Sequence, residues 1–431
     1  SYAYDKTLHI ETIISDMMQS YFTLENVPQA TEDPLYRLMR EYREDTHEKK
    51  IDLGIGAYRD ENGKPWVLPV VKKAESRLHD NPDSNHEYLP IRGLDSFLIA
   101  AQRLILGNES QAIHEKRICS FQTVSGTGAV HLGAGFISRF HSGSVKPKAF
   151  ISDPTWPNHY QIFTQSGFEV EKYPYYSASS KGVDIEKMLD CLRSAPRGST
   201  VVLQGCAHNP TGMDPSKEQW ERIADIVKER GHFPFFDCAY QGFASGDLEQ
   251  DAWACRYFIE KEFECCIAQS FAKNLGLYGE RVGAFHFICG PGSDATELVT
   301  RIGSQLAIMQ RAEISNPPAY GAHVASCVLN DADLFTQWET ELKIMSGRLT
   351  AMRQEIQSQL EARGTPGDWG FLSTQIGMFS YTGLSPRQIL ELKEKWHIYM
   401  TGNGRISVAG LNPGNIQYFI DAVDDVVRAW P

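Results

Sequence analysis

The 431-residue sequence predicts an α/β protein. A large domain with a mostly parallel sheet, covered by helices on both faces, is joined to a smaller α+β domain. Three observations predict this. From about residue 115 onward, short runs rich in Val, Ile and Phe alternate with helical patterns. Beyond about residue 340 the alternation gives way to longer helices around short strands. The length suits one two-lobed unit or two to three domains.

Residues 1–30 read as a leader and arm, with "TIISDMM" patterned as a short helix and "FTLENVPQATEDP" as extended. Pro34 then opens a helix over "LYRLMREYRED". Strands are expected at "KAFISD" (148–153), "STVVLQG" (199–205), "HFPFFDCAY" (232–240), "CCIAQSF" (265–271) and "AFHFIC" (284–289). In "VSGTGAVHLGAGFISRF" (124–140), Ala129, Leu132, Gly133, Phe136, Ile137 and Phe140 mark one helix face. In "DPSKEQWERIADIVKER", Asp214 is the expected N-cap and Pro215 the first helical residue. Trp220, Ile223, Ile226 and Val227 form its apolar face. Helices near 334–363 and 386–396 flank "IGMFSYTG", "HIYMT" and "GRISVAG", and "NIQYFIDAVDDVVRAW" closes the chain. The N-terminal segment is expected to complete the smaller sheet. The division is therefore 1–30 for leader and arm, 31–65 with 344–431 for the small domain, and 66–343 for the large one.

The formal net charge of -12 argues against a nucleic-acid partner, which needs a basic footprint. No apolar run approaches the roughly 18 residues of a membrane span. The first residues carry neither a signal-peptide nor an Arg-rich transit pattern, which favours the cytoplasm; the mitochondrial matrix is the alternative if a transit peptide has been removed. Nine cysteines, an odd count without a CxxC, read as buried free thiols and not as disulfides or a zinc site; no metal is expected.

Five expected strand ends each carry a chemically specialised residue. "SGTG" before the 124–140 helix offers free backbone N–H groups and the hydroxyls of Ser125 and Thr127, a phosphate cradle. It is neither G-x-G-x-x-G nor a Walker loop. "DPTWPNH" presents Trp156 as a flat surface. "CAHNPTG" delivers the Asn209 amide to the carboxyl edge of the sheet. "FFDCAYQGF" ends a buried strand with Asp237, a carboxylate that needs a positive partner, and adds Tyr240. "QSFAKNLGLYGERVG" supplies Lys273 and, eight residues on, Arg281. A phosphate, a planar ring, a basic ring nitrogen, an oxygen substituent and an electrophilic carbon would satisfy all five, and pyridoxal 5′-phosphate has them.

The ordered motifs "IDLGIGAYRDENGKPWVLPVV", "EYLPIRGL", "SGTGA", "TWPNH", "AHNPTG", "DCAYQGFASGD", "QSFAKNLGLYGERVG", "SNPPAYGA" and "GRISVAGL" resemble the aspartate aminotransferases, and most of all their eukaryotic mitochondrial-type branch. The likeness runs from about Asn26 to the C-terminus. It implies a fold-type I architecture with a seven-stranded sheet. It also implies a homodimer with shared active sites, and amino acids and 2-oxo acids as partners. By that resemblance Lys273 forms the Schiff base with the cofactor and shuttles a proton. Asp237 pairs with the ring nitrogen, and Asn209 and Tyr240 hydrogen-bond the ring oxygen. Ser125, Gly126, Thr127, Ser270 and Arg281 hold the phosphate, joined by Tyr88 of the neighbouring subunit. Trp156 stacks on the ring. Arg405 binds the substrate α-carboxylate, Arg311 reaches the distal carboxylate across the interface, and Gly56 lies in the closing loop. The implied reaction is ping-pong exchange of amino groups between aspartate or glutamate and 2-oxo acids. A specialised enzyme for a larger or modified acidic or aromatic amino acid is the alternative. The departures bear on substrate. Gln204 replaces a usual histidine behind Asp237, Arg37 and Arg92 add charge near the expected mouth, and His131, Glu313 and Ile314 also differ.

Overall fold

The computed structural model describes residues 21–142 and 148–431. The expected "TIISDMM" helix lies outside these. In the arm, Asn26 Oδ1 accepts the Thr23 N–H and Val27 N donates to Thr23 O, so a turn interrupts the expected extended segment. Asp33 then caps helix α1 (Pro34–Glu44), accepting from the N–H groups of Leu35 and Tyr36.

Seven strands form the main sheet: β1 (Ile118–Val124), β2 (Lys148–Asp153), β3 (Glu169–Pro174), β4 (Thr200–Gln204), β5 (Phe233–Cys238), β6 (Cys265–Ser270) and β7 (Val282–Ile288). Their order is β1-β7-β6-β5-β4-β2-β3, and only β7 runs antiparallel to its neighbours. The pleat sorts side chains to two faces. Phe235 packs beneath helix α2 (Ser125–Phe140), where a Cβ at Gly133 would meet the Phe235 and Phe285 rings at 2.5–2.8 Å. Phe236 points the other way, against Trp220 and Phe258. In α2, Phe140 is 46% exposed and so falls outside the buried face expected of it. Trp220, Ile223, Ile226 and Val227 are buried on helix α3 (Lys217–Glu229) as expected. Its cap is Ser216, in a capping box with Gln219. Asp214 is drawn away because its carboxylate accepts the backbone N–H groups of Ala207 and His208.

Helix α4 (Ala295–Glu313) follows the sheet, and helix α5 (Ala332–Ala362) bridges two cores. Leu334, Trp338, Leu342 and Leu349 pack with the sheet side, whereas Ile356 and Leu360 join a separate cluster with Ile51, Leu53, Leu392, Ile406 and Phe419. There Ile51–Asp52 pairs in parallel with Ile398–Tyr399, so the N-terminal side does complete the smaller unit. Phe379–Tyr381 pairs antiparallel with Arg405–Ser407. All nine cysteines are free and seven are buried.

The chain that leaves β5 is tied down by Asp251, which accepts from Gly242 N, Ser245 N and Ser245 Oγ. Burial pushes the Asp251 carboxyl from 3.8 up to about 7, against the pull of those bonds. The folded protein therefore retains a proton here between pH 4 and 7 that the unfolded chain has lost. This stabilisation, up to about 4 kcal/mol, is complete below about pH 4 and is lost as pH rises to 7. Asp251→Asn should flatten that part of the stability–pH profile in urea titrations. An unchanged slope would contradict the assignment.

Candidate active site

The carboxyl ends of the parallel strands meet the N-terminus of α2, as expected for ligand sites in α/β sheets. One cavity there is lined by eleven residues singled out from the sequence, Gln204 among them. Ser125, Gly126, Thr127, Ser270 and Arg281 form one end, and Trp156, Asn209, Asp237, Tyr240 and Lys273 the other. The packing that makes the cradle is close. A Cβ at Gly283 would lie 2.4 Å from the Ser125 carbonyl carbon, and one at Gly126 would touch Ser270 Cβ at 3.0 Å. Only glycine lets β7 and β6 come so near the first turn of α2, whose N–H groups face the cavity end as anion donors. Arg281 adopts left-handed backbone (φ 54°), its carbonyl accepting from Ser125 N at 3.1 Å. The cation is thus set beside the cradle by the turn that starts β7.

Lys273 sits three residues beyond β6. Gly276 N donates to the Lys273 carbonyl, and the next residue, Asn274, is pinned by Trp338 Nε1 to its carbonyl at 2.8 Å. The amine lies 5.4 Å from the Tyr240 ring centre. Burial lowers the lysine pKa from its ordinary value; Asp237 opposes this and Arg281 adds to it. Tyr240 is buried, which raises its phenol.

Asp237, the next-to-last residue of β5, is in register with Gln204. Gln204, expected behind this carboxylate, is not bonded to it; the bonded group is His159 of the "TWPNH" motif. His159 Nε2 is 2.7 Å from Asp237 Oδ2, and its Nδ1 is 2.8 Å from Thr155 Oγ1. Because a carboxylate only accepts, Nε2 carries the proton and Nδ1 accepts from the threonine hydroxyl. Gln204 Nε2 donates to that hydroxyl at 3.2 Å and to Asn209 O at 3.0 Å, while its Oε1 accepts Asn209 N at 2.8 Å. Gln204 therefore acts at one remove: it orients the Thr155–His159–Asp237 relay and clamps the backbone of Asn209.

Arg405 is 8% exposed. One guanidinium nitrogen donates to Gly54 O at 3.1 Å, another stands 3.5 Å from Asn209 Oδ1, and the group lies 4.1 Å over the Phe379 ring. Its Nε is buried without a partner, and burial lowers its pKa. Gly56, two residues beyond Gly54, is exposed, with open space where a Cβ would stand.

Tyr88 and Arg311 are not brought to this cavity within the chain. Tyr88 is 81% exposed, and Arg311 at the end of α4 is exposed, bonded to Ser315 Oγ. Arg37 and Arg92 are not among the residues that line the cavity. Arg37 lies exposed on α1, and Arg92 Nε donates to Ser120 O in the body of β1. His131 and Glu313 pair at 3.0 Å beside the cradle helix.

A family model described as "Aminotransferase class I and II" matches residues 48–423. The cytoplasmic aspartate aminotransferase of Schizosaccharomyces pombe is 45% identical over 406 residues, 94% of this chain and 98% of that protein. The structure of the aspartate aminotransferase from Saccharomyces cerevisiae cytoplasm superposes with a TM-score of 0.92 at 44% identity, over 96% of this chain and all of that one. An aromatic-amino-acid aminotransferase from Burkholderia pseudomallei, described as covalently bound to pyridoxal phosphate, matches at 38% identity with a TM-score of 0.90, over 95% of this chain and all of that one. With a fold-type I sheet, a buried lysine and an anion cradle at its carboxyl edge, this chain belongs to the class I and II aminotransferases, enzymes that depend on pyridoxal phosphate.

Proposed function

We propose that the protein exchanges amino groups between L-aspartate or L-glutamate and the 2-oxo acids oxaloacetate and 2-oxoglutarate, by a ping-pong reaction at the Lys273 cavity. The observation that carries this reading is Arg405: a buried guanidinium with an unpartnered Nε, 3.5 Å from the Asn209 amide that lines the same cavity as Lys273 and the histidine-backed Asp237. A buried charge left so is costly until a carboxylate meets it.

The residues present fit pyridoxal 5′-phosphate. The α2 N-terminus, Ser125, Gly126, Thr127, Ser270 and Arg281 would hold its phosphate, and Trp156 would supply a flat wall for its ring. Asn209 and Tyr240 would hydrogen-bond its ring oxygen, and Asp237 would place a negative charge at its ring nitrogen. When bound, the cofactor supplies the electron sink that lets the Cα–H bond of an amino acid weaken. The chain's own residues do the rest. His159 donates to Asp237 and keeps the carboxylate charged and oriented. Lys273, with its proton affinity reduced by burial, takes the Cα proton on Nζ and returns it. Arg405 fixes the α-carboxylate as a bidentate pair. Gly56 lies in a loop free to close over the site.

The reading extends to a homodimer. Arg311 would meet the distal carboxylate, and Tyr88 the phosphate, in the partner's cavity. Exposed Leu24, Val27, Tyr88 and Ile308 support a covering partner surface. The cluster around Ile51, Leu53, Ile356, Leu392, Ile406 and Phe419 supports a small domain drawn from 31–65 and 344–431. Tyr58, Leu349, Phe379 and Val408 of those spans pack with the sheet side, at the seam with the large domain of 66–343. Among the described residues no helix is long and apolar enough to cross a membrane. The names of the yeast relatives support a cytoplasmic location.

A panel of amino donors and 2-oxo acids tests the function. Aspartate and glutamate should exceed alanine and leucine in kcat/KM by at least about 100-fold, because a neutral side chain leaves a cation unpaired. The likeness to an aromatic-amino-acid enzyme favours one second reading, a specialised aminotransferase. Faster turnover of aromatic or neutral amino acids than of both acidic ones would establish it instead.

A further inference from the structure

We infer that Arg353 is a positioning residue for Arg405, acting through segment 377–380 and the ring of Phe379. The inference rests on the reading of Arg405 as the α-carboxylate arginine. Arg353 lies on α5, outside the cavity, and is 3% exposed. Among the described residues none of its hydrogen bonds reaches a carboxylate. Its Nε donates to Ser380 Oγ at 2.9 Å, and one terminal nitrogen donates to Gly377 O at 2.7 Å and to Phe379 O at 2.8 Å. Burial alone pulls the guanidinium down to about 9, so it is still a cation at neutral pH. A buried cation without a counter-ion is a poor way to stabilise a core, where an apolar side chain of similar volume serves as well or better. What the guanidinium does supply is a rigid fork that holds neighbouring acceptors at set angles.

Those acceptors belong to the support of Arg405. Phe379–Tyr381 is the strand partner of Arg405–Ser407, with Tyr381 opposite Arg405 itself. Val408 N donates to Met378 O at 2.8 Å, which locks the other end of the same pairing. The Arg405 guanidinium rests 4.1 Å above the Phe379 ring, and the carbonyl of that residue is held by Arg353. The segment also abuts the Asn209 loop. Ile376 N donates to Gly212 O at 2.8 Å, and a Cβ at Gly212 would stand 2.5 Å from Phe379 O. One fixed fork thus sets the height of the platform beneath Arg405 and the position of the loop that carries Asn209. A carboxylate bound in two parallel hydrogen bonds is sensitive to a shift of that platform.

The test is steady-state kinetics with aspartate on the holoenzyme, together with succinate as a non-reacting dicarboxylate. Arg353→Lys keeps the charge but loses the fork. It should raise the KM for aspartate and the Kd for succinate about tenfold, leave kcat within about threefold, and leave the cofactor absorbance unchanged. Ser380→Ala removes only the Nε acceptor and should raise KM about threefold; it decides the matter if the lysine variant does not fold. In a double-mutant cycle with Arg405→Lys, the KM effects should combine to less than their product, because Arg353 acts through Arg405. A folded variant with lowered Tm and a KM within about twofold of wild type would leave Arg353 a purely structural anchor and overturn the inference. If Arg405→Lys itself leaves KM and Kd unchanged, the carboxylate reading of Arg405 has failed; if it raises both while the Arg353 and Ser380 variants do not, the positioning role alone has failed.

Discussion

Lys273→Ala should bind pyridoxal phosphate and lose turnover of aspartate by at least about 10⁴-fold, because one side chain is both covalent anchor and proton carrier. Cofactor affinity should survive in large part. The groups proposed for the phosphate are the N–H groups of α2, Ser125, Thr127 and Arg281, and none depends on the lysine for its place. Arg281 is set by its left-handed backbone and by its carbonyl bond from Ser125 N. The loss falls on the chemistry because no other amine lines the cavity, and its remaining ionisable groups are poor substitutes. Asp237 is engaged by His159, and the Tyr240 phenol is pushed up by burial. The apparent pKa of the lysine should also lie below that of an exposed amine, since burial and Arg281 both lower it and only Asp237 opposes them. Turnover within about 100-fold of wild type would assign proton transfer to another group.

Arg311→Ala should reduce kcat/KM for aspartate by at least about 100-fold and leave that for alanine nearly unchanged, which closes most of the gap between acidic and neutral substrates. The expectation follows from where Arg311 lies. It is exposed at the end of α4, its side chain is bonded to Ser315 among the described residues, and it does not line its own chain's cavity. If it serves the partner's cavity, two inactive proteins can repair each other. In a hybrid of Lys273→Ala and Arg311→Ala subunits, one site carries both lesions and the other carries neither. Random exchange should restore up to about a quarter of wild-type activity. Verified hybrids without recovery would show that each site is built from one chain.

What was legible in the sequence depended on how local the cause was. Strands with Val, Ile and Phe runs were found within one or two residues, "KAFISD" to the residue. The two strands of the main sheet not anticipated, Ile118–Val124 and Glu169–Pro174, are its two edges. Their composition hides them. The first carries buried Ser120, Gln122 and Thr123, and two of these are satisfied by partners from other segments: Ser120 by Gln102 and His286, and Gln122 by Leu94 N and Pro318 O. The second mixes Glu169, Glu171 and Lys172 with its apolar residues, and two of those carboxylates meet Lys148. Capping failed at Asp214 for a similar reason: Ser216 was an equally good cap, and the loop at 207–208 claimed the aspartate.

The cavity residues were legible because each follows a strand, and strand ends converge by topology. Their supporting residues were not. His159 reaches Asp237 from 78 positions away. No pattern around "TWPNH" distinguishes it from a helix-surface histidine, and only the pairing of β4 with β5 brings Gln204 into the same relay. A sequence does not show which guanidinium already has a carbonyl to hold, as Arg92 has in Ser120 O. Tyr88 and Arg311 became interpretable only through the resemblance, since nothing in one chain's spacing points to a second copy.

The most direct test of the account is borohydride reduction of the holoenzyme followed by peptide mapping. The cofactor should become permanently fixed to the peptide containing Lys273, and Lys273→Ala protein should retain none after denaturation. Fixation to any other lysine, or none at all in a protein that still transaminates, would contradict it.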